Sequence, residues 1–253
     1  LNRIKFYDIT NSLYSCYKQH SYNLIKSEND SFFTTTYPID ISTELFGISI
    51  EGFDKQDTST SKNGIYRIKT ICNGTTLFQY TLNNIDLDKT RMCNLFVDYY
   101  EEINRGNGYY YSTLKLPRNK LSIYDSVLNY GLINLKEAIK YGIAIELFDY
   151  NLNITTIHLK FIHTDSFMVR SFMFDSVYFR KNKISTKDFK MVFPIDAFYD
   201  NTNVIHFIKN ENKNSFLSLL HEVNKELGIP LHKPAKIEFK SSIKKNRNKI
   251  VIV

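Results

Sequence analysis

The sequence predicts an α+β fold, with mainly antiparallel sheets built from hairpins and about three packed amphipathic helices. Three observations lead there. Apolar residues recur at helical spacing in three stretches, around residues 11–25, 123–141 and 214–227. Between them lie short β-rich runs separated by connections of hairpin length. One connection is Asn73-Gly74, a pair suited to a two-residue turn because both central positions need positive φ.

In the first stretch Asn11 can cap a helix, and Leu13, Cys16, Tyr17, His20 and Leu24 share one stripe. His20 then reads as a hydrogen-bonded core histidine. Residues 45–50 read as a strand and 54–64 as an exposed polar loop. The runs IYRIKTIC and TTLFQYTL flank Asn73-Gly74 and give a hairpin over residues 65–82. A second pairing joins 94–103 to 109–116 through Gly106-Asn107-Gly108.

Residues 123–141 carry the strongest helical pattern. Ser122 and Asp125 form a capping box, Leu128, Leu132, Leu135 and Ile139 the apolar stripe, and Gly142 the stop. Gly131 inside this helix costs about 1 kcal/mol against alanine, so packing has to hold it. Residues 143–149 and 154–163 read as strands about a turn, with 167–179, 189–193 and 204–208 as further strands. Asn214 or Ser215 caps the last helix, with Phe216, Leu219, Leu220, Val223 and Leu227 on its inner face and Gly228 and Pro230 at its end. Ile237, Phe239, Ile250 and Ile252 alternate as in strands. The expectation is one compact unit over 1–253, with 1–121 and 122–253 as the alternative division.

Composition excludes several classes. With 43% hydrophobic and 15% aromatic residues the chain can fill a core, so disorder is not its main state. No run approaches the ~20 apolar residues that a membrane span needs. Three cysteines are too few and too scattered for a disulfide framework or a zinc site, which predicts a reduced, intracellular protein of the cytoplasm or an organelle matrix. The chain holds 25 Asn, 29 Ile and 25 Lys but 4 Ala and no Trp. These are residues of AT-rich codons, as in the genomes of some viruses, plasmids, organelles and bacteria, so the placement of lysine says more than its abundance.

That placement is uneven. Lys233, Lys236, Lys240, Lys244, Lys245, Arg247 and Lys249 are opposed within 231–253 by Glu238 alone, giving +6 of the formal +7. A concentrated basic end is the usual footprint of contact with phosphates. A second cluster interleaves Arg105, Tyr109, Tyr110, Tyr111, Lys115, Arg118 and Lys120, a pattern in which tyrosines stack on bases and cations hold phosphates.

Catalytic signatures are sparse. There is no phosphate-cradling Gly-rich loop, HExxH or nucleophile elbow. Gly64-Ile65-Tyr66 is similar to the first half of the GIY-YIG nuclease motif, but Leu77-Phe78-Gln79 stands where the second half belongs. His163-Thr164-Asp165-Ser166 is similar to the palm motif of family B DNA polymerases, with histidine in place of the first metal-binding carboxylate. Glu238-x-Lys240 on an apolar strand resembles the E-x-K half of the PD-(D/E)xK nucleases, and the resemblance implies Mg²⁺ on Glu238 with Lys240 assisting water. The upstream aspartate that family needs has no clear counterpart, the nearest acids being Glu222, Glu226, Asp196 and Asp200. The expected function is therefore a nucleic-acid-associated, non-catalytic protein without a cofactor, acting with protein partners in a larger assembly. The alternatives are a metal-dependent nuclease using Glu238 and Lys240, and a purely structural or partner-binding subunit.

Overall fold

In the computed structural model, residues 1–9, 19–28, 31–41, 43–55, 62–99, 101, 110–116, 118–162, 182–198, 204–209, 220–225 and 231–240 are described. The protein is mostly β, which corrects the α+β expectation. The chain divides into two compact units, Leu1–Ser176 with Leu227–Pro230, and Val177–Glu226 with Leu231–Val253.

The strands of the first unit are β1 (Arg3–Asp8), β2 (Gln19–Lys26), β3 (Phe32–Thr35), β4 (Ile39–Asp40), β5 (Leu45–Glu51), β6 (Asp54–Lys55), β7 (Lys62–Asn63), β8 (Arg67–Cys72), β9 (Thr75–Thr81), β10 (Tyr110–Ser112), β11 (Tyr124–Val127), β12 (Ile133–Asn134), β13 (Ile143–Phe148), β14 (Ile154–Leu159) and β15 (Phe161–Ile162). Those of the second are β16 (Asn182–Ser185), β17 (Phe189–Phe193), β18 (Val204–Lys209), β19 (Leu220–Lys225) and β20 (Lys236–Phe239).

The first unit is built on an 11-stranded sheet, ordered β10-β5-β1-β2-β3-β14-β13-β8-β9-β11, with β12 also on β5. Its ladders are antiparallel except for β3 with β14. The pairing of β8 with β13 carries the sheet across Leu121. Strict alternation in β8 and β13 sends Ile68, Cys72, Ile143, Ile145 and Leu147 into one core with Ile4, Phe6, Phe46, Ile48 and Ile50 from β1 and β5. Burying each such side chain contributes about 1.5–3 kcal/mol. The sheet curls far enough for Phe96 to touch both the first and the penultimate strand of its path, Tyr111 of β10 at 5.8 Å and Tyr80 of β9 at 4.5 Å between ring centroids.

β1 and β5 are also covered on their second face. There Lys5 lies opposite Ser49, and its ammonium reaches Asp98 at 3.4 Å and Glu101 more closely still. The Tyr7 hydroxyl contacts Ser49 at 2.8 Å and donates to Asp98. Burial, then the charge of Asp98, pushes the Tyr7 hydroxyl well above its ordinary pKa. Lys5 thus stands between two buried carboxylates, and removing it would leave their charge uncompensated.

The departures from expectation have local causes. The hairpin at Asn73-Gly74 forms as expected, with φ of 50° and 70° and Cys72 paired to Thr75. The helix expected near 11–25 is a strand from Gln19 onward, because alternation places His20, Tyr22 and Leu24 against β1 and β3; residues 10–18 lie outside the described residues. Residues 123–141 hold β11, a 3₁₀ turn at Asn129–Gly131, β12 and then α1 (Leu135–Tyr141). Positive φ at Asn129, Tyr130 and Gly131 breaks the helical path. Asp125 accepts from Gln79 and Thr81 instead of capping, and Asn134 takes over that role by accepting from the Lys136 N–H at 2.9 Å. Gly142 does stop α1. Leu132 and Leu135 are buried and Ile139 partly so, while Leu128 is exposed.

Among the described residues, the pairing of 94–103 with 109–116 is a bridge between Val97 and Tyr111, since Leu87–Leu95 is 3₁₀ and β10 pairs with β5. Within 54–64, β6 and β7 form a short hairpin. The last expected helix is β19 over Leu220–Lys225, paired to β18; Phe216, Leu219 and the 167–179 strand lie outside the described residues. No helix among the described residues is long and apolar enough to cross a membrane.

Candidate nucleic-acid interface

β16, β17 and β20 form a three-stranded antiparallel sheet in that order. Period-two alternation and the register sort its side chains by face. Ile184, Phe189, Met191, Phe193, Ile237 and Phe239 lie on one side. Lys183, Ser185, Lys190, Val192, Lys236 and Glu238 lie on the other. The expected strand at Ile237 and Phe239 is thus present, and it belongs to a sheet rather than a loose arm.

The apolar side is anchored by Phe189. Phe239 leans on it at 5.2 Å, and the imidazoles of His206 and His221 stack over it at 5.5 and 4.4 Å between centroids. Both histidines come from the β18–β19 hairpin, where His206 and His221 are diagonal neighbours facing the same way. Their rings are parallel within 3°, with His206 Nε2 3.0 Å from His221 Nδ1 and His221 Nε2 3.3 Å from Asp188 Oδ2. A carboxylate can only accept, so His221 donates to Asp188 from Nε2 and accepts from His206 at Nδ1. Burial, and next the neighbouring His221, pushes the His206 pKa down. A hydrogen bond from Thr186, with His221 contributing, holds Asp188 below the usual carboxylate range.

The charged side centres on Glu238. Lys190, directly opposite on β17, donates to one carboxylate oxygen at 3.0 Å, and Lys236 reaches the other at 2.9 Å. Hydrogen bonds from Lys236 and then Lys190 push the Glu238 carboxyl down to about 2. Lys183, Lys187, Lys233 and Lys240 are exposed around this face and its rim. Lys233 donates to the Ile195 carbonyl at 3.2 Å and lies 3.7 Å from Asp196.

These positions test the residues singled out from sequence. Lys233, Lys236 and Lys240 are exposed and lie within one unit, on or beside one strand. Lys244, Lys245, Arg247, Lys249, Arg105 and Tyr109 lie outside the described residues. Glu238 is engaged by Lys236 and Lys190 rather than by Lys240. Tyr111 is corrected from a base-stacking surface to a core residue: it is 3% exposed, and its hydroxyl accepts from the Ile65 N–H at 3.3 Å. Arg118 is half-buried in the first unit. Among the described residues, no group of three or more His, Cys, Asp or Glu could hold a metal ion.

Sequence reasoning missed Lys183, Lys187 and Lys190. A signal was present, since residues 180–190 hold Arg180, Lys181, Lys183, Lys187 and Lys190 against Asp188 alone. The strand pairing unites this cluster with the C-terminal one. The second unit accordingly carries 15 Lys+Arg against 7 Asp+Glu, or +8, and the first unit sums to −1.

Fold and site together define a two-unit β-protein whose second unit is strongly basic. A family model described as a Zu5-like domain matches residues 176–253, which spans that second unit and covers under a third of the chain. No curated protein and no solved structure matches the chain.

Proposed function

We propose that this is a non-catalytic, nucleic-acid-associated protein of a larger assembly, which engages phosphates through its basic second unit. The observation that carries the reading is the segregation of charge, +8 on the second unit and −1 on the first. Clustered lysines and arginines displace condensed counterions from a nucleic acid, and that release drives association without reading sequence. The described cationic face has no aromatic side chain among its six positions, so base stacking adds nothing there and binding is directed at the backbone.

The test is an electrophoretic shift series with duplex DNA, single-stranded DNA and RNA, with and without Mg²⁺, over a range of salt. Engaging most of the seven C-terminal cations gives a slope of log affinity on log salt of roughly −3 to −5. Replacing Lys244, Lys245 and Arg247 with alanine flattens it by about 2–3. Absence of binding at low salt, or Mg²⁺-dependent cleavage lost in Glu238→Ala, would sink the reading.

One observation favours a second reading, docking to a protein partner. Ile237 and Phe239 of β20 are large apolar side chains more than two-fifths exposed.

A further inference from the structure

We infer that Glu238 is an internal competitor for the phosphates this face receives, so that binding proceeds by exchange of one anion for another. The inference rests on the nucleic-acid reading above and names how that site is regulated.

The geometry is specific. Glu238 lies on an outer strand of the cationic face, cross-strand from Lys190 and two residues from Lys236 on the same side of β20. Its two carboxylate oxygens are divided between the two ammonium groups, 3.0 Å from Lys190 and 2.9 Å from Lys236. Lys183 flanks Val192 on the opposite side from Lys236, so a third lysine shares the face, two strands away from the carboxylate. A phosphate diester offers the same motif, two oxygens sharing one negative charge, to the same donors.

Exchange is energetically accessible. The side chains of Lys190 and Glu238 are 34% and 38% exposed and that of Lys236 is 75% exposed, so both ion pairs are bathed in solvent. Exposed pairs of this kind contribute little and are weakened by salt. When a phosphate arrives, Lys190 and Lys236 can turn to it without leaving a buried charge behind. Glu238 stays on the face, however, and repels the newcomer. Its presence lowers affinity and cancels one unit of the counterion release that the lysines would otherwise produce.

The sign of one substitution separates this arrangement from the others. Glu238→Gln keeps shape and hydrogen-bonding capacity while removing the charge. With a short fluorescein-labelled DNA duplex and the 253-residue chain, fluorescence anisotropy over a KCl series should show Glu238→Gln binding about fivefold more tightly at low salt. Its salt slope should steepen by about one. Lys190→Ala combined with Lys236→Ala should weaken binding and flatten the slope by about two. Thermal melts of each variant, matched to the unaltered chain, establish that folding is intact.

If the unaltered chain binds but Glu238→Gln leaves affinity and slope unchanged or lowers both, the carboxylate does not compete and the inference is overturned while the nucleic-acid reading stands. If the unaltered chain binds no nucleic acid, or binds only vesicles of anionic lipid, both fall together.

Discussion

Gly131 and Thr113 lie backbone to backbone: a Cβ on Gly131 would stand 2.1 Å from the Thr113 carbonyl oxygen and 3.0 Å from the Phe78 ring. With φ of 82° the residue also occupies a conformation that side chains resist. Gly131→Ala should therefore lower stability by about 2–4 kcal/mol, measured as the shift of the first unit's urea transition. A helical Gly131 would give the opposite result, because alanine is the better helix former.

Gly74 makes a contrasting case. Nothing lies within 4 Å of where its Cβ would be, so only the φ of 70° constrains it. Gly74→Val should destabilise by about 1–2 kcal/mol, whereas Gly74→Asn, which tolerates positive φ, should cost markedly less. Equal melting temperatures for the two variants would remove the backbone explanation.

Lys5 neutralises a pocket of buried acid. Its side chain is 5% exposed, and those of Asp98 and Glu101 are 7% and 4% exposed. Lys5→Met should cost about 3–5 kcal/mol, because it strands carboxylates away from water. Adding Asp98→Asn and Glu101→Gln should restore part of that loss. A single substitution that moves the urea midpoint hardly at all would show that the cluster is not closed to solvent.

The paired imidazoles make the second unit sensitive to acid. His206 takes up a proton less readily when folded than when unfolded, so the unfolded chain binds the extra proton as pH falls below the ordinary histidine value of 6.5. The stability this group contributes is full above that pH and is lost as pH drops toward its lower folded pKa. Asp188 acts in the same direction at more acidic pH, since its carboxyl is held low when folded. His206→Gln should lose less stability than the unaltered chain between neutral pH and pH about 5, read from urea midpoints at each pH. Parallel pH profiles would dissociate the histidine pair from the effect.

Local chemistry was the legible part of this chain. Asn73-Gly74 determines its own turn, and Gly142 ends its helix, through backbone preferences that a few residues express alone. What could not be read was whether a stripe of apolar residues belonged to a helix or a strand. His20 and Leu24, four positions apart, share a face in a helix and in a strand alike, and the deciding partners on β3 are themselves held by β14. The cationic face was half visible for a related reason. Lys233, Lys236 and Lys240 stand together in sequence, but Lys190 reaches Glu238 across 48 positions. Likewise the histidine pair depends on a hairpin that the apolar spacing of 216–227 had suggested was a helix.

The parallel ladder of β3 and β14 has a bearing on how the chain acquires its structure. The Thr34 hydroxyl meets the His158 carbonyl across 124 positions, and the sheet between them has no shorter route to closure. Contacts of such separation form late, because the loop entropy is lost before the pairing rewards it. During synthesis, the outer edge of β3 must wait unpaired until β14 has left the ribosome. The nascent first unit is therefore exposed to aggregation for longer than its finished form would suggest, and a chaperone able to shield open strand edges is the aid its birth calls for.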